Sequence, residues 1–309
     1  MGSCFGVDIG GTTVKLGLFD TEGNLLDKWE IPTRTENGGV NIIPDIADSI
    51  KDKINEKNID IKDVIGVGMG APGPIDKEGV IFKTANLGWG IKNIVKELSE
   101  LLNVPVKAGN DANVAALGEM WKGGGKGYKN VVLVTLGTGV GGGIITDGNI
   151  ITGSTGAGGE IGHIHVEDDE DDCCGCGNKG CLEQYASATG VVRLANKKLK
   201  ESDEDSLLRS TEVSAKSVFD AVKAGDKLAT EVAEEFGVYL AKGLAAIACV
   251  TNPEIFVIGG GVSKAGDILF KFIEEPYRKY VFHASRDAKF ALATLGNDAG
   301  IYGAVKLVL

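Results

Sequence analysis

Glu160, His163, Cys174, Cys176, Cys181 and Glu183 fall within one short run of the chain, and their types suggest its chemistry. Three thiolates and an imidazole make a complete tetrahedral set for zinc, and four protein ligands leave no position open for an activated water. The spacing points to a structural Zn2+ held by His163, Cys174, Cys176 and Cys181. Gly175, Gly177 and Gly180 are expected to supply left-handed turns that aim three sulfurs at one centre. The alternative is a disulfide or a set of uncommitted thiols. No secretory segment is read ahead of them, and thiols in a reducing compartment are more often metal ligands than bridges. Cys173 can compete with Cys174 as a ligand, whereas Cys4 and Cys249 lie in apolar segments and read as small core residues. Glu160, His163 and Glu183 add acceptors and a donor of the kind that reads a ring of sugar hydroxyls, with the metal fixing their positions. Equally, carboxylates beside a metal can be plain supports for its ligands.

A second chemistry is written twice. Gly10-Gly11-Thr12-Thr13 and Gly137-Thr138-Gly139 each follow a short β-type run. Each offers backbone N–H groups and a hydroxyl to phosphate oxygens, provided the two loops face one another across a nucleotide. One such loop alone would be an ordinary hairpin. Asp8 ends the first strand beside its loop and is placed to hold Mg2+ against the phosphates, or else to cap the turn. Gly259, Gly260 and Gly261 follow a buried strand and would let an adenine ring lie on bare backbone, a feature that is generic by itself. Asp111 is the candidate general base, a carboxylate at a strand end that can take the proton of an attacking hydroxyl. Asp is also a good helix N-cap, and both readings of Asp111 stay open at this level.

The elements that must position these groups alternate in type. Strands are expected at 5–9, 14–19 and 25–31, then a helix carrying Ile43, Ala47, Ile50 and Ile54 at helical spacing. A strand at 64–69, a loop at 70–74, a second loop holding Asn86 to Trp89, a helix over Ile94 to Leu102 and a strand at 104–108 follow. That strand delivers Asn110 and Asp111 to its end, where α/β sheets bind ligands. A helix over 112–121 comes next. Strands at 131–136 and 141–146, with a turn and a strand from Ile150, echo the opening element for element, so two similar lobes are expected. Beyond Ser187 the pattern turns mostly helical, with a long amphipathic stretch from Leu228 to Cys249. Strands at 255–258 and 290–295 and a helix from Asp298 close the chain.

Composition narrows the classes. A formal charge of -11 gives phosphate backbones no basic face to contact, so no nucleic-acid partner is expected. No apolar run is long enough to span a bilayer, so no membrane partner is expected either, and the cytoplasm is the expected location. The 46 glycines are about twice the usual share and are read as loop residues suited to close approach to phosphates. The acidic run from Glu167 to Asp172 has no assignment and reads as a solvated loop.

The motifs Asp8-Ile9-Gly10-Gly11-Thr12, Asn110-Asp111-Ala112-Asn113, Leu136-Gly137-Thr138-Gly139, Glu160-Ile161-Gly162-His163, the Cys174/Cys176/Cys181/Glu183 module and Gly259 to Ser263 together resemble the ROK family of sugar kinases and repressors. The match spans nearly the whole chain in one order. The resemblance implies an α/β fold of the actin-like ATPase (ribonuclease H-like) kind, two duplicated lobes around a cleft. By it the small lobe would hold residues 1–116 and 297–309, and the large lobe 117–296 with the zinc module and dimerising helices. It implies ATP as donor with Mg2+, a structural zinc, a hexose as partner, and a homodimer or homotetramer. Carried over by position, the base falls on Asp111, and the sugar ligands on Asn110, Glu160, His163 and Glu183, with Gly70 and Asn86 lining the pocket. Nucleotide binding falls on Asp8, Gly10, Gly11, Thr12, Thr138, Gly139, Gly260 and Gly261. Within the family the chain looks like the bacterial glucokinases, which implies transfer to the 6-hydroxyl of glucose. Kinases of N-acetylmannosamine, fructose or allose share these motifs. A sugar-sensing regulator of the family would discard the base, and a repressor would carry a helix-turn-helix ahead of the first strand, which is read here from residue 4.

Overall fold

The computed structural model describes residues 2–82, 84 and 86–309. Contacts divide the chain into two compact units: Met1–Gly127, Gly143–Gly159 and Thr294–Leu309 in the first, Tyr128–Gly142 and Glu160–Ala293 in the second. The boundaries read from the sequence, 116/117 and 296/297, fall elsewhere. A break after 116 would cut a continuous helix, Asp111–Lys122, whose whole length belongs to the first unit.

The first unit is built on β1 (Ser3–Ile9), β2 (Thr13–Asp20), β3 (Leu25–Pro32), β4 (Val64–Ala71) and β5 (Val106–Asn110), in the sheet order β3-β2-β1-β4-β5. The three opening strands are antiparallel, and β1, β4 and β5 run parallel. β1 reads as an apolar run because it lies at the centre with both faces covered. Helix α1 (Ile42–Glu56) buries Ile43, Ile46, Ala47, Ile50 and Ile54 on one stripe, and α2 (Ile94–Leu102) buries Ile94, Leu98 and Leu102. Helix α3 (Asp111–Lys122) begins directly where β5 ends.

The last helix, α9 (Ala299–Val308), packs on α3, β1 and β4. The approach is backbone to backbone. A Cβ at Gly68 would lie 1.7 Å from the Ala304 carbonyl oxygen, one at Gly6 2.2 Å from that of Ile301, and one at Gly303 1.7 Å from that of Val114. The reading of the glycines as loop residues is corrected here, since these three sit inside strands and a helix and permit close packing.

The second sheet has the order β8-β7-β6-β9-β10, from β6 (Val131–Leu136), β7 (Val140–Thr146), β8 (Asn149–Ile150), β9 (Ile255–Gly259) and β10 (Lys289–Leu292). β9 runs parallel to both β6 and β10, so this sheet repeats the order of the first. In the second unit α4 (Glu183–Ala186) and α5 (Ala188–Glu201) are followed by α6 (Ala215–Lys223), α7 (Lys227–Thr251) and α8 (Ile268–Tyr280). The stripe Ala229, Val232, Phe236, Leu240, Leu244 and Ile247 on α7 is buried, as its spacing predicts. Cys249 is exposed, contrary to its reading as a core residue, while Cys4 is buried. Among the described residues no helix is long and apolar enough to cross a membrane.

Candidate active site

In the first unit β1 and β2 hand over through Gly10 to Thr12. Gly10 N–H donates to the Thr13 carbonyl at 3.0 Å, and the Thr33 hydroxyl to the Gly10 carbonyl at 2.7 Å. Thr33 N–H also donates to the Thr12 carbonyl at 2.9 Å, so three hydrogen bonds pin the turn, and Gly11 and Thr12 are left exposed at its tip. Asn86 lies beside that tip, since a Cβ at Gly11 would be 3.4 Å from the Asn86 Cβ.

Asp8 is half-buried below the loop. Gly300 of α9 presses on it, so that a Cβ there would lie 2.5 Å from the Asp8 carboxyl carbon. Burial pushes the Asp8 carboxyl up to about 6, with Lys15 opposing the shift and the charge of Asp111 adding to it. Asp8 and Asp111 therefore feel one another at the ends of β1 and β5.

Asn110 is the N-cap of α3, its Oδ1 accepting from Asn113 N–H at 3.1 Å while its Nδ2 donates to the Gly73 carbonyl at 3.3 Å. Asp111 is the first helical residue and accepts from Ala112 N–H at 2.8 Å. Gly70 packs against the start of the helix, where a Cβ would lie 3.7 Å from the Asp111 Cα.

Two residues on α3 escaped the sequence reading as site supports. Asn113 is 2% exposed and donates through Nδ2 to the Gly158 carbonyl at 3.1 Å, while its Oδ1 has no partner among the described residues. Glu119, 1% exposed, accepts from the backbone N–H groups of Gly124, Thr294 and Leu295 at 2.8, 3.1 and 2.9 Å. It thereby ties the entry to α9 onto α3. The signal for Asn113 was its place in the Asn110-Asp111-Ala112-Asn113 motif, which gave it no role of its own; Glu119 gave none.

In the second unit Gly137 N–H donates to the Gly139 carbonyl at 3.0 Å, a turn like that of the first loop, with Thr138 exposed. The start of α5 holds it, Ala188 N–H donating to the Gly137 carbonyl at 2.8 Å and the Thr189 hydroxyl to the Thr138 carbonyl at 2.7 Å. Glu183 joins this loop to the cysteine module. Its Oε2 accepts from Val140 N–H at 3.2 Å, and its Oε1 from the Cys174 thiol at 3.1 Å. Gly139 leaves room for this carboxylate, since a Cβ there would lie 2.2 Å from Oε2 and would make the Glu183 side chain shift.

His163, Cys174, Cys176 and Cys181 bring their donor atoms within 4.8 Å of one another. Cys174 Sγ lies 3.7 Å from His163 Nδ1, and Cys176 Sγ lies 3.7 Å from Cys181 Sγ. Two bonds of about 2.3 Å at a tetrahedral angle span about 3.8 Å, so the donor set fits one tetrahedral ion. Cys173 stands outside the group. Gly177 and Gly180 take the left-handed backbone expected of them, with φ of 92° and 69°, but Gly175 does not and faces open space. Without metal, burial pushes the Cys174 thiol up to about 12 and raises Cys181, while the Asn178 N–H lowers Cys176. Glu160 and His163 stand at the two ends of a 3-10 turn, both exposed, while Ile161 and Gly162 between them are buried.

At the end of β9, Gly260 has a φ of 84° and lies against the Leu136 backbone, where a Cβ would meet it at 2.5 Å. Gly261 has room for a side chain and lines a cavity of about 160 Å3 with Lys216, Phe219, Lys223 and Lys264.

The ROK family profile matches residues 4–309. A glucokinase of Halalkalibacterium halodurans is 46% identical over 98% of this chain and 94% of its own length. Among solved structures, a ROK hexokinase from Thermus thermophilus superposes with a TM-score of 0.81 at 32% identity, covering 98% of this chain and 96% of that one. A ROK family glucokinase from Streptomyces griseus, solved with glucose and AMPPNP, gives a TM-score of 0.74 at 33% identity and covers 99% of both chains.

Proposed function

Because the chain belongs to the ROK family, we infer that it is an ATP-dependent glucokinase, and that Asp111 is the base that takes the proton of the glucose 6-hydroxyl as it attacks the terminal phosphate. The observation that carries the assignment of the base is the division of labour at the head of α3. Asn110 performs the capping that Asp111 would otherwise be needed for, and Asp111 stands within electrostatic reach of Asp8 beside the first phosphate loop. A kinase needs two such carboxylates in different roles, one to hold the metal on the phosphates and one to receive a proton.

Each unit supplies its own part. In the first, Asp8 would hold Mg2+, Gly11 and Thr12 offer N–H groups and a hydroxyl to phosphate oxygens while the Gly10 N–H holds the turn in shape, and Gly70, Asn86 and Asn110 line the sugar beside Asp111. In the second, Thr138 and Gly139 offer the matching turn, and the Gly261 cavity with Gly260 receives the base of the nucleotide. Glu160, His163 and Glu183 read the sugar hydroxyls. Mg2+ when bound would neutralise phosphate charge and orient the terminal phosphoryl group. Zinc on His163, Cys174, Cys176 and Cys181 would be structural, since all four positions are filled by protein. Thiols that bind zinc give up their protons. With its proton gone, Cys174 would no longer donate to Glu183 Oε1, which would leave that oxygen free to accept from a sugar hydroxyl.

A coupled assay across glucose, N-acetylmannosamine, fructose and allose, with metal content measured on the same sample, tests the reading. Turnover should be highest on glucose. Asp111→Asn should lower kcat by about 10²- to 10⁴-fold while calorimetric glucose binding persists. A variant that keeps most of its turnover removes Asp111 from the role of base.

A further inference from the structure

The acidic run that the sequence assigned to solvent is only partly solvated. The side chains of Asp168 and Asp172 are 95% and 80% exposed, but that of Glu170 is 7% exposed. Its Oε2 accepts from both the Tyr185 hydroxyl and the Arg193 guanidinium. Arg193 in turn lies over the Tyr185 ring at 4.7 Å, and Tyr185 stacks on Tyr239 with centroids 3.9 Å apart. Tyr239 closes the circuit by donating to Glu167 Oε2 at 2.7 Å. The run is therefore a strap fastened at Glu167 to α7 and at Glu170 to α4 and α5.

What the strap fastens is the short helix that begins with Glu183. Four residues cannot hold a helix by themselves, since nucleation is unfavourable and little propagation follows it. The placement of α4 must come from tertiary contacts, and its successive side chains make them. Glu183 reaches the Val140 N–H, Gln184 donates to the Asp172 carbonyl at 2.9 Å, and Tyr185 reaches Glu170. Two of these contacts are made with the strap, and Glu183 Oε1 and Gln184 Oε1 also accept from the Cys174 thiol and the Cys181 N–H of the cysteine module. We propose that Glu170 is a positioning residue for the sugar site, gripping Tyr185 and Arg193 so that α4 presents the Glu183 carboxylate at a fixed angle to the substrate. This rests on the reading of Glu183 as a sugar ligand given above. The Arg193 guanidinium holds the Glu170 carboxyl down to about 2, so the grip is charged at every working pH.

The test measures kcat, both Michaelis constants and zinc per chain for wild type, Glu170→Ala, Tyr185→Phe and Glu183→Gln. Tyr185→Phe keeps the stacked ring and removes only the hydroxyl, so it remains informative if Glu170→Ala fails to fold. Glu170→Ala should raise the KM for glucose by about tenfold, and Tyr185→Phe should raise it less, with the KM for ATP within about twofold of wild type and zinc content unchanged. Glucose and ATP constants rising together, or loss of zinc, would show a strap that serves the fold or the metal and not the sugar, and would overturn the proposal. So would an unchanged glucose KM in both strap variants while Glu183→Gln raises it, and that outcome leaves the glucokinase reading standing. If wild type does not use glucose, or Glu183→Gln leaves its KM unchanged, the sugar site is not at Glu183 and the proposal falls with that reading.

Discussion

Replacing Asp8 with Asn sets stability against activity in a way the structure quantifies. Burial holds the Asp8 carboxyl at about 6 in the folded chain against an ordinary 3.8. Between those values the native state keeps a proton that the unfolded chain has released, so the free energy of unfolding falls as pH rises through the window. The stabilisation is fully present below the unfolded value and is lost once pH passes the folded one. A shift of about two pH units at about 1.4 kcal/mol each gives a ceiling of about 3 kcal/mol for the cost of the ionised carboxylate at about pH 7. Asn has the same shape and no charge to bury. Asp8→Asn should therefore unfold at higher urea at about pH 7, by up to about 3 kcal/mol, and the gain should shrink towards zero at about pH 4, where the wild-type carboxyl is already neutral. The same variant should lose turnover, because the carboxylate that strains the fold is the one proposed to hold Mg2+. Equal urea midpoints for the two proteins near neutrality, or a gain of the same size at both pH values, would refute the burial argument.

Three further outcomes follow from other contacts. Metal analysis should find a single zinc per chain, and a chelator or Cys176→Ser should lower the melting temperature together with activity; an unchanged melting temperature after complete zinc removal would contradict a structural role. Gly139→Ala places a Cβ 2.2 Å from Glu183 Oε2, so it should weaken both glucose and ATP, and wild-type constants for both would mean that the carboxylate can move without consequence. Glu119→Gln can keep an acceptor for only part of its set of three backbone donors, and should cost about 2–4 kcal/mol in urea unfolding without selectively changing either Michaelis constant.

The positions read most directly from the sequence are those whose chemistry is local. Gly10 to Thr12 and Gly137 to Gly139 lie in tight turns after a strand because short polar runs between β-type segments have few other conformations open to them. The cysteine spacing predicts a cluster because three thiols and an imidazole so close in sequence can converge without long-range help. Asn110 and Asp111 mark the limit of that method. Both are good caps, and which one caps depends on where the helix begins. β5 extends to Asn110, whose backbone is extended with ψ of 141°, so the cap falls there and Asp111 becomes the first helical residue. The unit boundaries were illegible for a related reason, since they follow from what α3 packs against and not from any break in its own pattern.

Buried carboxylates show why the remainder could not be read. Glu119 and Glu170 each look like surface residues in sequence, because a carboxylate is stable inside only if donors reach it, and those donors come from elsewhere in the chain. Glu119 takes two of its backbone N–H groups from Thr294 and Leu295, more than 170 positions away in sequence. Glu170 takes its donors from Tyr185 and Arg193, on two helices beyond the cysteine module. The glycines of β1, β4 and α9 carry the same lesson with opposite sign. A glycine announces that something comes close, but whether that is a ligand, as proposed at Gly11, or the Ala304 carbonyl, as found at Gly68, is decided by the partner surface. Motifs of reactive groups can thus be found from spacing, whereas the groups that hold them in place are found only when the distant half of each contact is known. It follows that variants at Glu119 and Glu170 test different things. The former holds helices together in the first unit, and the latter sets the angle of a single reactive side chain, so only the latter should separate the glucose constant from overall stability.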